Sequence, residues 1–143
     1  MNINPILTYT ELSYAAGLYE GEGCAGAYHG GAKRDDGTHI LVGRIAISMM
    51  DPEPVQFMYL LFSGSCTVTT PYLRGQKLYR WCVSARHAEK VAKVLLPWTK
   101  SVRKAAQLQS ILDYYVQHDN ERSQKGWKPV PNQSDYKAQT WPI

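Results

Sequence analysis

The sequence predicts an α+β domain, an antiparallel sheet covered on one face by helices, and three observations carry that reading. Segments of helical period alternate with pairs of extended segments, in the order helix, two strands, helix, two strands, two helices. The members of the first strand pair are joined by a polar, turn-rich stretch. The chain's 143 residues suffice for one domain with a real core and leave little room for a second.

The first helix is expected from Thr10 to about Glu20, with Thr10 as N-cap and Glu11 in the first turn, where the helix dipole favours an acid. Leu12, Ala15, Ala16 and Tyr19 recur at helical spacing, and Gly21 and Gly23 end the run. Gly17 in mid-helix costs about 1 kcal/mol relative to Ala. Beside Ala15 and Ala16 it makes a face almost bare of side chains, which lets another helix backbone approach closely.

Strands are expected around 24–30 and 39–48, linked through Gly30 to Thr38. In the second, Leu41, Ile45 and Ile47 alternate with Val42, Arg44 and Ser48, imperfectly at its start. Asp51-Pro52 opens a helix with the stripe Val55, Met58, Tyr59 and Phe62, which Ser63-Gly64 stops. Strands near 66–70 and 77–83 follow, and Ser84 caps a third helix with the stripe Ala88, Val91, Ala92 and Leu95. Pro97 breaks it. Ser101 caps a last helix running to about Gln117, with Ala105, Leu108, Leu112 and Tyr115 inward. The domain is therefore drawn as residues 1–117, and 118–143 as a polar tail in which Trp127, Tyr136 and Trp141 can dock on the body.

Composition excludes several classes. No apolar run reaches the ~18 residues of a membrane span, and the start from Met1 to Tyr9 lacks the pattern of a secretion signal. An intracellular protein is expected. Cys24, Cys66 and Cys82 are odd in number and far apart, so neither a disulfide framework nor a zinc site is suggested, and each is expected buried. A net charge of +4 leans towards a polyanionic partner. The four histidines are scattered, and no phosphate-cradling glycine loop is present.

The run Ala15-Ala16-Gly17-Leu18-Tyr19-Glu20-Gly21-Glu22-Gly23 resembles the LAGLIDADG signature of homing endonucleases, in the variant ending Gly-Glu-Gly. Other segments are similar to the family in order and spacing: Ile47 to Asp51 with the helix behind it, Phe62-Ser63-Gly64-Ser65, Tyr79-Arg80-Trp81, and Leu96-Pro97-Trp98 followed by Arg103 to Gln107. The likeness spans about Ser13 to Tyr115. It implies an αββαββα fold, a saddle-shaped sheet lying in the DNA major groove. It also implies a homodimer in which the two signature helices meet through Ala16, Gly17 and Gly21.

The same resemblance implies that Glu22, with the Gly21 carbonyl, binds Mg²⁺ or Mn²⁺, and that Glu20 serves local structure at the helix ends. Many family members carry a lysine that falls at Val102 here, so Lys100 and Arg103 are the candidate substitutes; a common polar position falls at Met49. Base-reading candidates on the strands are Tyr28, Arg34, His39, Arg44, Thr67, Thr69, Arg74, Gln76, Lys77 and Arg80. Lys100, Arg103 and Lys104 are read as phosphate contacts. The function implied is a staggered double-strand break at a long pseudo-palindromic site, in a protein carried by an intron or intein. A DNA-binding regulator without catalysis, and an intron RNA maturase, are the alternatives.

Overall fold

The structure, a computed structural model, describes residues 7–70 and 75–126. Helix α1 (Tyr9–Glu22) leads into strands β1 (Gly23–Lys33) and β2 (His39–Met49). Helix α2 (Pro52–Phe62) precedes β3 (Ser65–Thr69) and β4 (Leu78–Ser84). Helix α3 (Ala85–Leu95), a 3-10 turn (Leu96–Trp98) and α4 (Val102–Gln124) complete the order. The sheet runs β1-β2-β4-β3 with every neighbour antiparallel, so the expected α+β class holds.

Local chemistry explains most boundaries. The N-cap of α1 is Thr8 rather than Thr10: its hydroxyl accepts from the Glu11 amide at 3.1 Å, and Glu11 accepts from the Thr8 amide at 3.2 Å. Only Thr8 has a glutamate three residues on, the spacing that makes this reciprocal box. Pro52 sits in the first turn of α2, where its missing N–H is harmless.

One face of the sheet is packed against the helices, and none of the described helices covers the other. Ile45, Ile47, Trp81, Val83 and Ala25 point to the helices and form the core with Tyr19, Met58, Phe62, Val91, Leu95, Leu108 and Ile111. The α3 stripe lies inward as expected. In α2, Leu61 is buried and Tyr59 is exposed, a small rotation from the expected stripe. In α4 the inward set is Lys104, Leu108, Ile111 and Tyr115, with Ala105 and Leu112 only half-buried. A lysine on the buried face disguised that pattern. Helix α4 also runs to Gln124, seven residues past the expected end, while Trp127, Tyr136 and Trp141 lie outside the described residues.

The turn from α2 into β3 depends on Gly64. Its φ is +99°, and a Cβ there would sit 2.5 Å from the Cys82 carbonyl oxygen and 2.6 Å from a Val83 methyl. Gly64→Ala is expected to cost about 3 kcal/mol, combining left-handed strain with a backbone clash. Urea denaturation of the variant checks this through its midpoint at unchanged slope.

Candidate nucleic-acid interface

Strand register defines the bare face. Across the sheet, Gly26, Arg44 and Ser84 form one row, Cys24, Ala46, Cys82 and Ser65 the next, and Ser48, Arg80 and Thr67 a third. Tyr28 and Thr69 extend the same face at either end. The Tyr28 ring lies over Gly26, where a Cβ would stand 3.4 Å from it. Burial raises the Tyr28 phenol and the Cys24 thiol adds to this, while Arg44 and Arg80 both pull it down. The two guanidiniums therefore act on one hydroxyl. None of the strand residues in these rows is acidic, so the face is positive and rich in donors.

The sequence candidates divide on this geometry. Tyr28, Arg44, Thr67, Thr69 and Arg80 share the bare face. Gln76 and Lys77 are exposed in the loop before β4, and Arg74 lies outside the described residues. His39 belongs to the other face: it shares parity with Ile45 and Ile47, and with Arg34, Leu41, Tyr114 and His118 it lines a cavity of about 240 Å³ against α4. Arg34 and His39, both exposed, thus line the side towards α4 and do not share the row of Arg44, the consequence of an alternation that blurs at the start of β2.

Ser48, Ser65, Cys24 and Cys82 were missed. The alternation of β2 already sets Ser48 with Arg44, although Ser48 is not among the base-reading candidates. Cys24 and Cys66 are exposed and Cys82 half-buried, contrary to expectation, because the sheet has helices on one side only and Cys66 sits on an edge strand.

The end of α1 supplies the acids. Glu20 turns towards α4, where its Oε1 accepts from the Ser101 amide at 3.0 Å and from the Lys100 amide. It caps a neighbouring helix, matching the structural role expected of it, and those amides, Ser101 foremost, hold its carboxyl below the ordinary range. A depressed value means that the stabilisation exists above the unfolded carboxyl range and is lost as pH falls through the folded value. Glu20→Gln is expected to lower stability by about 1 kcal/mol at neutral pH. Melting curves of both proteins should converge in acid.

Glu22 ends α1 exposed, with no hydrogen bond or ion pair among the described residues, and Gly21 beside it is exposed as well. The helix dipole favours a cation at this end. Among the described residues no group of three or more His, Cys, Asp or Glu side chains gathers, so one chain offers only a partial oxygen set. Lys100 and Arg103 are exposed at the start of α4. Lys104 is corrected: it is buried and its Nζ donates to the Gly23 carbonyl, so it does not face a phosphate. Val102 is 86% exposed.

The outer face of α1 carries Ser13, Gly17 and Gly21, and a Cβ at either glycine would meet nothing within 4 Å. Ala16 does not belong to it. At 1% exposure it packs on the chain's own core, one helical step from Gly17. Spacing alone gave the bald helix two small-residue sides and did not say which was the core.

This architecture, an open four-stranded antiparallel sheet with helices on one face, is the fold of the LAGLIDADG homing endonucleases. The chain is similar to the group I intron-encoded homing endonuclease I-CeuI complexed with DNA, at 13% identity over 85% of this chain and 61% of that one, with a TM-score of 0.62. It is similar to the LAGLIDADG homing endonuclease I-LtrWI bound to target DNA, at 14% identity over 80% of this chain and 40% of that one, TM-score 0.62. The homing endonuclease I-CvuI, in complex with its target in the presence of calcium, aligns at 17% identity over 73% and 64%, TM-score 0.56. The chain thus spans less than two thirds of the length of each of these structures. No protein-family model and no curated protein matches it by sequence. None of its described helices is long and apolar enough to cross a membrane.

Proposed function

We propose that this chain is one subunit of a single-motif LAGLIDADG homing endonuclease, which pairs with a second copy to cut both strands of a long, nearly palindromic DNA site and leave staggered ends. The observation that carries the reading is the sheet face that no described helix covers: Tyr28, Arg44, Arg80, Thr67 and Thr69 share it, with no acid among them. Such a face meets the polyanionic major groove, where an arginine donates two hydrogen bonds to a guanine edge. Lys100 and Arg103, exposed at the start of α4, serve the phosphates.

Glu22 and the Gly21 carbonyl fit a hard divalent cation, Mg²⁺ or Mn²⁺, because both are oxygen donors at the negative end of a helix and Glu22 has no competing partner among the described residues. When bound, such a cation acidifies water and neutralises charge that builds on the phosphate. One carboxylate per chain leaves the oxygen shell incomplete. A second copy with its α1 against this one brings a second Glu22 to the same place, and Gly17 and Gly21 permit that approach. The setting proposed for the gene is an intron or intein, and the compartment an intracellular one.

A second reading, DNA binding without cutting, is favoured by Val102, an exposed valine where a charged group would serve catalysis. Selection of bound and of cleaved duplexes from a randomised library separates the two. Arg44→Ala and Arg80→Ala should each weaken binding by about 1–3 kcal/mol and relax base preference at one position. His39→Ala, on the covered face, should leave both unchanged. An enriched site that stays intact in Mg²⁺ and Mn²⁺ would leave the regulator.

A further inference from the structure

Lys104 occupies an unusual place for a cation. It is 7% exposed and pairs with no carboxylate among the described residues. A buried ammonium costs several kcal/mol unless its surroundings replace water. Here the Gly23 carbonyl accepts from Nζ, the Tyr19 ring lies 5.6 Å away, and the negative end of α1 supplies the remaining field.

The contacts around it form one brace. The Tyr19 hydroxyl donates to the Lys104 carbonyl at 2.9 Å and to Gln107 Oε1 at 3.1 Å. The Ala25 amide donates to the same Gln107 oxygen at 3.3 Å. Gly23 donates its own amide to the Tyr19 carbonyl. Glu20, on the other side, caps α4 at Lys100 and Ser101. Tyr19 and Glu20 before Glu22, and Gly23 and Ala25 after it, are therefore each tied to α4 or to the turn that opens it. The Glu22 side chain has no hydrogen bond or ion pair among the described residues.

The geometry points to Lys104 as a positioning residue, with Gln107 as its partner, that fixes the Gly21–Gly23 backbone and so aims the Glu22 carboxylate for a divalent cation. This rests on the function proposed above. It separates from a purely electrostatic role by sign. A positive charge behind a cation site repels the cation, so removing it without the brace would tighten binding. Removing the brace weakens it, because supporting residues typically contribute about 10–100-fold in metal affinity or activity.

Two measurements on the full chain test this. Hydrogen exchange of the metal-free, DNA-free protein should show the Gly23 and Ala25 amides of Lys104→Met opening about tenfold faster, with the core amides of β4 unchanged. Titration of Mn²⁺ into the protein on its selected duplex should give an affinity about tenfold or more weaker, cleavage reduced in kcat, and KM for DNA unchanged. Gln107→Met should shift the same two amides, and it serves if Lys104→Met does not fold. Tighter Mn²⁺ binding, a change in KM alone, or unaltered exchange in the folded variants would overturn the inference. If the wild-type chain binds no DNA, the proposed function fails, and exchange together with Mn²⁺ binding to the free protein still decides the brace.

Discussion

Glu22→Gln is expected to stop strand cleavage while leaving DNA affinity within a small factor of the wild type. The substitution keeps size and hydrogen-bonding capacity and removes one negative charge from an exposed position with no partner among the described residues, so folding has nothing to lose. In the proposed function binding is carried elsewhere, by Arg44, Arg80 and the threonines that share their sheet face. Cleavage would lose the charge proposed to hold a divalent cation, worth about 4 kcal/mol of barrier, or on the order of a thousandfold in rate. Single-turnover cleavage and filter binding on one duplex separate the two effects. Parallel loss of both, or retention of both, would contradict the assignment of Glu22. Glu20→Gln should behave in the opposite manner, costing stability through the α4 cap with only an indirect effect on rate.

Gly17→Leu is expected to convert the proposed homodimer into a folded monomer. Within one chain the substitution is harmless: a Cβ at position 17 meets nothing within 4 Å, and leaving glycine adds about 1 kcal/mol of helix propensity. In the proposed dimer it would force apart helices that must nearly touch. Overpacking of about 3 kcal/mol corresponds to a roughly 100-fold weaker self-association. The signs are opposite, which makes the variant informative. Thermal stability should hold or rise while sedimentation shifts towards the monomer and cutting is lost. Gly21→Leu should do the same, whereas Ala16→Leu should fail differently, by destabilising the chain, since Ala16 is buried in its own core.

Most of the fold was legible because each element carried its own signal. The α3 stripe, the Pro52 start and the Gly64 stop are local statements, and the structure agrees with all three. What stayed hidden was relational. Lys104 looked like a surface cation because nothing in the sequence shows that Gly23 and Tyr19, over eighty residues away, will receive it. His39 looked like a groove residue because strand parity is fixed only once Ile45 and Ile47 are seen against the helices. Cys24 is exposed because it lies on the uncovered face and Cys66 because β3 is an edge strand, both properties of the tertiary arrangement rather than of the strands. At the site, Glu20 and Glu22 are alike in type and two residues apart, yet one caps α4 and the other points free. Only the packing of the Ser101 turn beside α1 tells them apart.

The most direct measurement is the mass of the complex on a duplex carrying the selected site, by mass photometry or sedimentation velocity in Mg²⁺-free buffer. Two chains per duplex, falling to one on a half-site, is the expected result, as a twofold assembly on a twofold site requires. A single chain saturating the full-length site would contradict it, because a lone Glu22 has no second carboxylate to complete the chemistry.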